Sequence, residues 1–582
     1  MSKHVSSKLF LTAAIASLSL YGCGGSDDEP VASANVAAAG EILQYVPADS
    51  PYVFASLAPL PDDVMDKLEP SIDQALASYE TLLQQLVVMA SNDAQEKGEE
   101  SEGADKAAAV IGELSSLMSV EGLRGAGLSR ESRLVMYGNG LLPVLRIELT
   151  DGALFETALT RIEESAGEEM DIATIAGNPV RYVVADEVKI LVSVMDTQVV
   201  MSVAPTVFDD EQLSVLLGFT QPSATIIDSG KLQGIADKYA YSDYLLGYFD
   251  IASIANTVTG DARGLDADLF ALHGGADDIT DVCRDELRSM AGIAPRMVMG
   301  YTGVTTERFD TQMVIETRSD IAQGMSGMSA AVPGLVSDMG GLISLGMSLD
   351  IKAMRSFIET QLDAMEEEPY LCPDFADIQA GGAQMRVALQ QPVMPMIYDF
   401  RGFIAVIEDI EGLDFETQAP PTSVDGQFLL AMKNAPALVS LGAMFNPQLA
   451  ELNLQADGEP VLLDLPQAQM MGGDAYVALG EDALAISIGD GAESQLGAML
   501  SADATDSGTF FAFSMDASRY YQFLGEAIAQ SEPDDENPMT PEFRDAMQDV
   551  MLAGADVYDR MSIDMRLTDQ GIVIDSTLTL SE

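Results

Sequence analysis

The feature that most constrains this chain is an internal repeat. The strand pattern QVVMSV at 198–203 can be laid on ALAISI at 483–488, and each pattern follows an acidic turn. Further matches follow in the same order: Gln212-Leu213 with Gln495-Leu496, Tyr248-Phe249-Asp250 with Met515-Asp516, Arg296-Met297 with Arg560-Met561, and TQMVIET at 311–317 with DSTLTL at 575–580. The conserved order indicates an internal duplication, with chance similarity among apolar strands as the alternative.

Each copy opens with a strand that runs into an amphipathic helix, at 143–164 and at 427–445. Strand patterns with interspersed helices follow, without regular strand–helix alternation, and this predicts an α+β fold with largely antiparallel sheets. We expect two similar lobes, at 41–320 and 376–582. A helical connector rich in Met and Gly is expected at 321–375.

The first 22 residues have the organisation of a secretory signal peptide. Lys3 and Lys8 form a positive region, and residues 9–20 are apolar or small. About 12 residues span only ~18 Å as a helix, well short of the ~30 Å hydrocarbon core of a bilayer. The segment is therefore predicted to be a targeting signal and not a transmembrane anchor.

Leu20, Tyr21, Gly22 and Cys23 end this apolar run and resemble the lipobox of type II signal peptides. The resemblance implies a diacylglycerol thioether on Cys23, cleavage after Gly22 and fatty acylation, for example with palmitate, of the new amine. Several acyl chains would give stable anchoring, since each buried methylene contributes about 0.8 kcal/mol. An ordinary signal peptide that contains a cysteine is the alternative.

The residues after the predicted cleavage site bear on sorting. Position 24 is glycine, whereas an aspartate there would, in lipobox proteins, favour retention at the inner membrane. We therefore expect a lipoprotein of the outer membrane that faces the periplasm. Residues 23–40, rich in Asp, Ala and Ser, are predicted to form a lipidated flexible tether.

The charge of the chain excludes one class of partner. With 29 basic and 92 acidic residues the formal net charge is −63. Such a field repels nucleic acid and anionic headgroups, so no nucleic-acid partner is predicted. The expected partners are the membrane, through the N-terminal lipid, and a hydrophobic ligand or an envelope protein.

Few residues are available for common catalytic chemistry. Beyond the signal peptide the chain has a single histidine, His273, in an acidic, Gly-containing stretch without a nucleophile elbow. No metal site and no cofactor are predicted. Asp250 and Asp516, equivalent in the two copies, are the acids that could be nominated for carboxylate catalysis. Their position after an apolar strand is more typical of helix N-caps.

Two cysteines remain besides Cys23. Cys283 and Cys372 form an isolated pair, and in an oxidising periplasm such a pair is usually bridged. A disulfide would close a long loop and tie two parts of the body together. The alternative is two separately buried thiols.

The opening of the body, YVPADSPYVFASLAPLP at 45–61, resembles a group of large exported bacterial proteins of unknown function, some of them lipoproteins. These proteins carry strand–helix–strand duplications. The resemblance covers most of the chain beyond the signal peptide and implies the same duplicated architecture. It brings no catalytic motif and implies no activity.

Two classes of function remain. The first is a lipid-anchored, non-enzymatic envelope protein that binds a hydrophobic molecule or a protein partner, between the lobes or along the Met-rich segment 321–349. A buried pair of helices linking the lobes is the structural alternative for that segment. The second class is a carboxylate-based periplasmic hydrolase.

Overall fold

A computed structural model describes residues 34–96, 111–272, 279–412, 421–445, 447–456, 458–464, 473–489, 491–504, 508–530 and 540–581. The predicted signal peptide 1–22, its lipobox residues Leu20, Tyr21 and Gly22, the lipidation site Cys23 and His273 lie outside these ranges. The predicted α+β class is confirmed, because helices and antiparallel strands occur throughout the described chain.

The described strands all pair antiparallel. They are β1 Tyr52–Ala55, β2 Leu134–Asn139, β3 Leu142–Glu148, β4 Asp171–Ile175, β5 Asn178–Ala185, β6 Val188–Val194, β7 Gln198–Pro205, β8 Leu246–Phe249, β9 Arg296–Val304, β10 Arg308–Glu316, β11 Ile343–Ser348, β12 Phe400–Glu411, β13 Ser423–Met432, β14 Val461–Leu463, β15 Ala475–Leu479, β16 Ala483–Ile488, β17 Thr509–Asp516, β18 Tyr558–Thr568 and β19 Gly571–Leu580.

These pairings join every described strand into one continuous sheet. The spatial order is β4-β5-β6-β7-β3-β2-β1-β8-β9-β10-β19-β18-β17-β11-β12-β13-β16-β15-β14. The strands before and after the connector meet at one seam, where β10 pairs with β19. Ladder hydrogen bonds across the seam join the first half, β1 to β10, and the second half, β11 to β19, into one sheet. The two lobes predicted at 41–320 and 376–582 therefore share a single sheet. Sheets this wide twist and curl because each strand is rotated relative to its neighbour.

The helices lie on both sides of the sheet. They are α1 Gly40–Leu43, α2 Asp62–Glu96, α3 Val120–Gly125, α4 Gly152–Ala166, α5 Asp210–Leu216, α6 Ile226–Ser229, α7 Lys231–Tyr239, α8 Ile251–Asn256, α9 Leu265–Leu272, α10 Asp281–Ala291, α11 Ser319–Ser326, α12 Ile351–Glu367, α13 Ala376–Leu389, α14 Ala435–Phe445, α15 Pro447–Glu451, α16 Ala492–Ser501, α17 Ala517–Gln530 and α18 Pro541–Val557. Short 3-10 helices cover Val36–Ala39, Pro373–Phe375 and Pro395–Asp399, and a π-helical turn covers Thr257–Asp261.

Helix α4 illustrates how local sequence sets the packing of the first half. Its N-cap Asp151 accepts a hydrogen bond from the amide of Ala153, and it ends at Gly167 with φ +65°. Phe155, Leu159 and Ile162 recur at helical spacing and are buried against one face of the first-half strands. Burying each such side chain contributes about 1.5–3 kcal/mol.

The opposite face of the first-half strands carries a second core. Val53, Tyr137 and Leu191 are buried there beneath helices that include α6 and α7. The equivalent face of the second-half strands is covered by the irregular segment 327–342, whose Val332 and Leu335 belong to the core cluster on that face. The structure differs from the predicted tether 23–40 and from the predicted connector 321–375, which both border these cores.

The predicted flexible tether 23–40 is too long at its C-terminal end. Ala34, Val36 and Ala39 are buried in the first-half core, and α1 begins at Gly40. Small apolar side chains that the composition assigned to a spacer instead fill this core. The tether can extend no further than residue 33.

The helical connector predicted at 321–375 is wrong over its centre. Residues 343–348 form β11, which pairs with β12 on one side and β17 on the other. The segment therefore belongs to the sheet and does not simply link two lobes. Residues 327–342 contain glycines with φ values of +74°, +81° and +73°, at Gly334, Gly340 and Gly341, and such backbone conformations interrupt helices.

Among the described residues, no helix is both long enough and apolar enough to cross a membrane.

Candidate ligand-binding face

One row of mostly apolar side chains crosses twelve strands of the sheet. Its members are direct cross-strand partners, so they share one face of the sheet. From β3 to β13 they are Leu145, Met136, Phe54, Gly247, Met299, Met313, Ile574, Met565, Phe511, Met347, Phe403 and Leu430. We call this set the accessible row, because each of its eleven side chains is partly or largely exposed; Gly247, which has no side chain, is buried. The row covers eleven strand spacings, or about 50 Å.

The alternation in β11 shows which face is covered. Ser344, Gly346 and Ser348 are buried, whereas Leu345 and Met347 are partly exposed. Soluble proteins normally place large apolar side chains on the buried face and small polar ones on the exposed face. The inverted pattern leaves large apolar side chains on the accessible side of the sheet.

Strand β17 repeats this inversion beside β11. Ala512 and Ser514 are buried, while Phe511, Phe513 and Met515 are partly exposed. The strands therefore place aromatic and thioether side chains on the same accessible face over several neighbouring positions. Large apolar surfaces of this kind mark binding sites on soluble proteins.

Helices cover the two ends of the central strands but leave the row between them less covered. At one end, Leu68 and Ile72 of α2 join a cluster that includes Tyr301 and Phe309. At the other end, Met325 of α11 and residues of α12 join a cluster with Leu567. None of Met299, Met313, Ile574, Met565 and Phe511 belongs to either cluster. The accessible row thus lies between two helical walls.

The accessible row is uncharged, and its lining is adaptable. Five of its twelve members are methionines, whose flexible thioether side chains adjust to irregular apolar ligands. The next row includes a threonine–serine pair, in which the hydroxyl of Thr311 donates to the carbonyl of Ser576. The face can therefore accommodate hydrocarbon chains but offers few polar groups.

Tyr52 and Phe249 extend the same face towards the first half. Their rings stack with centroids 5.9 Å apart. Burial, with a smaller effect from the nearby charge of Asp266, raises the pKa of Tyr52 to about 12. Its hydroxyl therefore stays neutral at physiological pH and donates to the carbonyl of Leu141.

The structure brings together Cys283 and Cys372. Their sulfurs are 2.00 Å apart in a disulfide that joins α10 to the segment after α12. The carboxylate of Glu286 accepts hydrogen bonds from the amides of Leu371 and Cys372 at 2.6 and 2.9 Å. Cys283, Cys372 and Asp374 also bring potential metal-ligand atoms within 4.8 Å of one another. The disulfide occupies both sulfurs, so these atoms do not form a thiolate site.

The structure does not bring together Asp250 and Asp516. Each carboxylate accepts a backbone amide at the start of the helix that follows it, from Ser253 of α8 and Arg519 of α17. Asp250 also forms an ion pair with Lys231, with 2.6 Å between oxygen and nitrogen. Four strands separate β8 from β17, so each acid caps only the helix that follows it.

A different pair of acids does meet. Asp564 and Asp575 are cross-strand partners on β18 and β19, and Arg566 pairs with both. Burial raises the pKa of Asp564, and the charge of Asp575 adds to this effect against the opposing contributions of Thr509 and Arg566. This pair was not predicted from the sequence, although an acid in each of the last two strands was a usable signal.

The fold and this face define an α+β protein with one wide antiparallel sheet and an accessible apolar surface. No protein-family model, no curated protein and no solved structure matches the chain. The accessible row was also not predicted from the sequence. Only Met347 lies in the Met-rich segment 321–349 that was predicted as a possible hydrophobic binding segment. Alternation reveals which residues share a face but not which face other elements cover.

Proposed function

We propose that this protein is a lipid-anchored, non-enzymatic envelope protein that binds a hydrophobic molecule along the accessible row. The observation that carries this proposal is the inverted burial of β11 and β17, in which Phe511 and Met347 are more exposed than the serines beside them. Moving apolar surface from water onto this face yields roughly 25 cal/mol per Å². A ligand with several hydrocarbon chains fits the extent and adaptability of the face.

The envelope location is part of the same proposal. The lipobox ending at Cys23 supports attachment to a membrane by lipid, and Gly24 supports the outer membrane facing the periplasm. An accessible apolar face suits a protein that handles membrane-derived molecules at such a location. The resemblance to large exported bacterial proteins belongs to this proposal as well.

We also propose that the two halves arose by duplication. The order β7-β3-β2-β1-β8-β9-β10 on one side of the seam parallels β16-β13-β12-β11-β17-β18-β19 on the other. The sequence matches between β7 and β16 agree with this correspondence. In this scheme β11 corresponds to β1, so the second copy begins before β11 and includes most of the segment 321–375.

The experiment uses the chain with Cys23→Ala, exported to the periplasm, and the neutral fluorescent probe N-phenyl-1-naphthylamine. We expect saturable probe binding that Phe511→Gln and Met565→Gln each weaken. Leu154→Gln is the matched control, because Leu154 is an exposed apolar residue on α4 and does not belong to the row. Equal binding by all variants, or no binding by the parent chain, would contradict the proposal.

Native mass spectrometry with lipid extraction then tests for an endogenous ligand. A reproducible extra mass on the Cys23→Ala chain, reduced by Phe511→Gln, is the expected result. A probe-binding chain that carries no extra mass after mild purification would assign the face to a protein partner instead of a small molecule.

The second candidate function is a carboxylate-based hydrolase centred on Asp564 and Asp575. Two adjacent carboxyl groups, of which one has a raised pKa, are an arrangement used in general acid–base catalysis. Turnover of 4-nitrophenyl glycosides, lost in Asp564→Asn and Asp575→Asn and kept in Asp569→Asn, would support it. Absence of turnover on this panel leaves the binding function as the sole proposal.

A further inference from the structure

The segment 371–397 exposes an unusual amount of apolar surface. Leu371 is 71% exposed, Val387 62% and Met394 58%, and Ile378, Met385 and Ile397 are also exposed. Helix α13, which forms the middle of the segment, has no buried residue. Exposed apolar patches of this size mark contact surfaces.

The charge of this segment differs from that of the rest of the chain. Residues 378–398 contain no Asp or Glu, although the whole chain carries 92 acids and a net charge of −63. The single cation in this stretch, Arg386, is paired with Asp363 and Glu366 of α12. The acids of the segment, Asp374 and Asp377, lie before this stretch and are exposed. A surface without acids suits contact with hydrocarbon and zwitterionic headgroups, which the rest of the acidic protein does not favour.

A series of contacts links the start of the described chain to this segment. The amide of Ala34 donates to the carbonyl of Tyr241, whose ring stacks on Tyr239. The hydroxyl of Tyr239 donates to Glu316 at the end of β10. Beyond Glu316, the amide of Arg318 donates to the carbonyl of Ile293, which follows α10, and the disulfide joins α10 to Cys372 in the exposed segment. These contacts link the start of the described chain to the exposed segment.

Chain length then limits how far this end can lie from the membrane. Ala34 lies eleven residue steps after Cys23, and a fully extended chain of that length spans about 37 Å. A lipid on Cys23 would hold Ala34 within that range of the bilayer surface and so keep the body, including the exposed segment, beside the membrane. This tethering raises the effective concentration of the bilayer surface around the exposed segment, so that even a weak contact between them can form.

We infer that the segment 371–397 docks on the surface of the bilayer to which the chain is anchored. This inference rests on the proposed lipid anchor and is independent of ligand binding at the accessible row. Leu371, Val387 and Met394 insert at the headgroup boundary, and the acidic remainder of the body faces away from the membrane. The contact is weak alone and becomes effective through the tether.

The absence of tryptophan from the sequence gives a direct test. The Cys23→Ala chain with Val387→Trp carries a single tryptophan in the segment, and Val207→Trp is the matched control, because Val207 is 65% exposed in the loop after β7. On addition of phosphatidylethanolamine–phosphatidylcholine vesicles, we expect a blue shift and quenching by brominated lipid for Val387→Trp alone. An unchanged spectrum, or the same shift in Val207→Trp, would overturn the inference.

Vesicle flotation tests the contribution of the native side chains. Val387→Ser with Met394→Ser should lower the partitioning of the Cys23→Ala chain by about tenfold or more. The control pair Ile172→Ser with Val207→Ser should leave it unchanged. Replacing part of the phosphatidylethanolamine with phosphatidylglycerol should weaken binding at low salt, because the body repels anionic lipid.

Two further readouts distinguish bilayer docking from contact between copies of the chain and from ligand binding at the accessible row. A dimer of the Cys23→Ala chain that Val387→Ser with Met394→Ser dissociates would assign the segment to contact between copies and overturn bilayer docking. Probe binding at the accessible row should persist in this double variant. Vesicle binding should likewise persist in Phe511→Gln, so failure of one proposal does not imply failure of the other.

Discussion

The hydroxyl groups of Ser344 and Ser514 lie 2.5 Å apart on the buried face of the sheet, between β11 and β17. Both side chains are fully buried, and Ser514 also accepts hydrogen bonds from Arg560 and the amide of Met339. Because these hydroxyl groups form hydrogen bonds within the protein, the two serines can occupy the buried face of the sheet. The large apolar residues that alternate with them along β11 and β17 then lie on the accessible face.

Adjacent leucines on β13 provide a matched test of the two faces. Leu429 is 1% exposed in the core of the second half, whereas Leu430 belongs to the accessible row. Leu429→Ser should lower the free energy of unfolding by about 3 kcal/mol or more, through a cavity and a buried hydroxyl. Leu430→Ser should cost less than about 1.5 kcal/mol but weaken binding of N-phenyl-1-naphthylamine. Urea denaturation and probe titration check both values, and similar stability losses for the two variants would contradict the assignment of faces.

The sequence could predict elements whose pattern is local. The strands containing QVVMSV and ALAISI are β7 and β16, and they occupy corresponding positions in the sheet. Strand β11 was not predictable, because ISLGMS lacks the β-branched and aromatic enrichment of most strands. Pairing with β12 and β17 imposes its conformation. The accessible row depends on which helices cover which face, and this is a tertiary property that no single strand pattern contains.

Glu316 makes stability depend on pH. Burial alone would raise the pKa of its carboxyl, but hydrogen bonds from Arg296, Lys238 and Tyr239 and the charge of Arg296 outweigh burial and lower it to about 2. A depressed pKa contributes stability that is present above the ordinary value of about 4.5 and is lost as pH falls towards 2. The contribution is roughly 2 kcal/mol after allowance for solvent screening.

The measurement compares urea denaturation of the parent chain and Glu316→Gln between pH 3 and pH 7. Glu316→Gln should lower stability at pH 7 and reduce its loss on acidification. Glu307→Gln serves as the control, because Glu307 is exposed in the turn between β9 and β10. A Glu316→Gln chain that loses as much stability as the parent between these pH values would refute the assigned contribution.

The disulfide should stabilise the fold without being needed for ligand binding. Cys283→Ser with Cys372→Ser opens a loop closed over a separation of 89 residues, which should lower the free energy of unfolding by about 2–5 kcal/mol. The Glu286 carboxylate still accepts the amides of residues 371 and 372 in the folded variant. Thermal unfolding and probe titration of the double variant check this. Loss of probe binding in the folded variant would place the disulfide in the binding function.

The seam between β10 and β19 should hold the two halves together without a covalent link. Gln312 donates to Asp575 at 2.8 Å, Thr577 donates to Asp310 at 2.7 Å, and the buried side chains of Val314 and Val573 are cross-strand partners. A protease site inserted between the exposed residues 326 and 327, cleaved after folding, separates the halves covalently once the disulfide is reduced. We expect the fragments to remain associated in size-exclusion chromatography.

Val573→Asp should separate them, because it buries an unpaired carboxylate, while Val188→Asp at an exposed position should not. Fragments that separate without substitution, each still folded, would show that the two halves are independent domains and that the seam contributes little to their association.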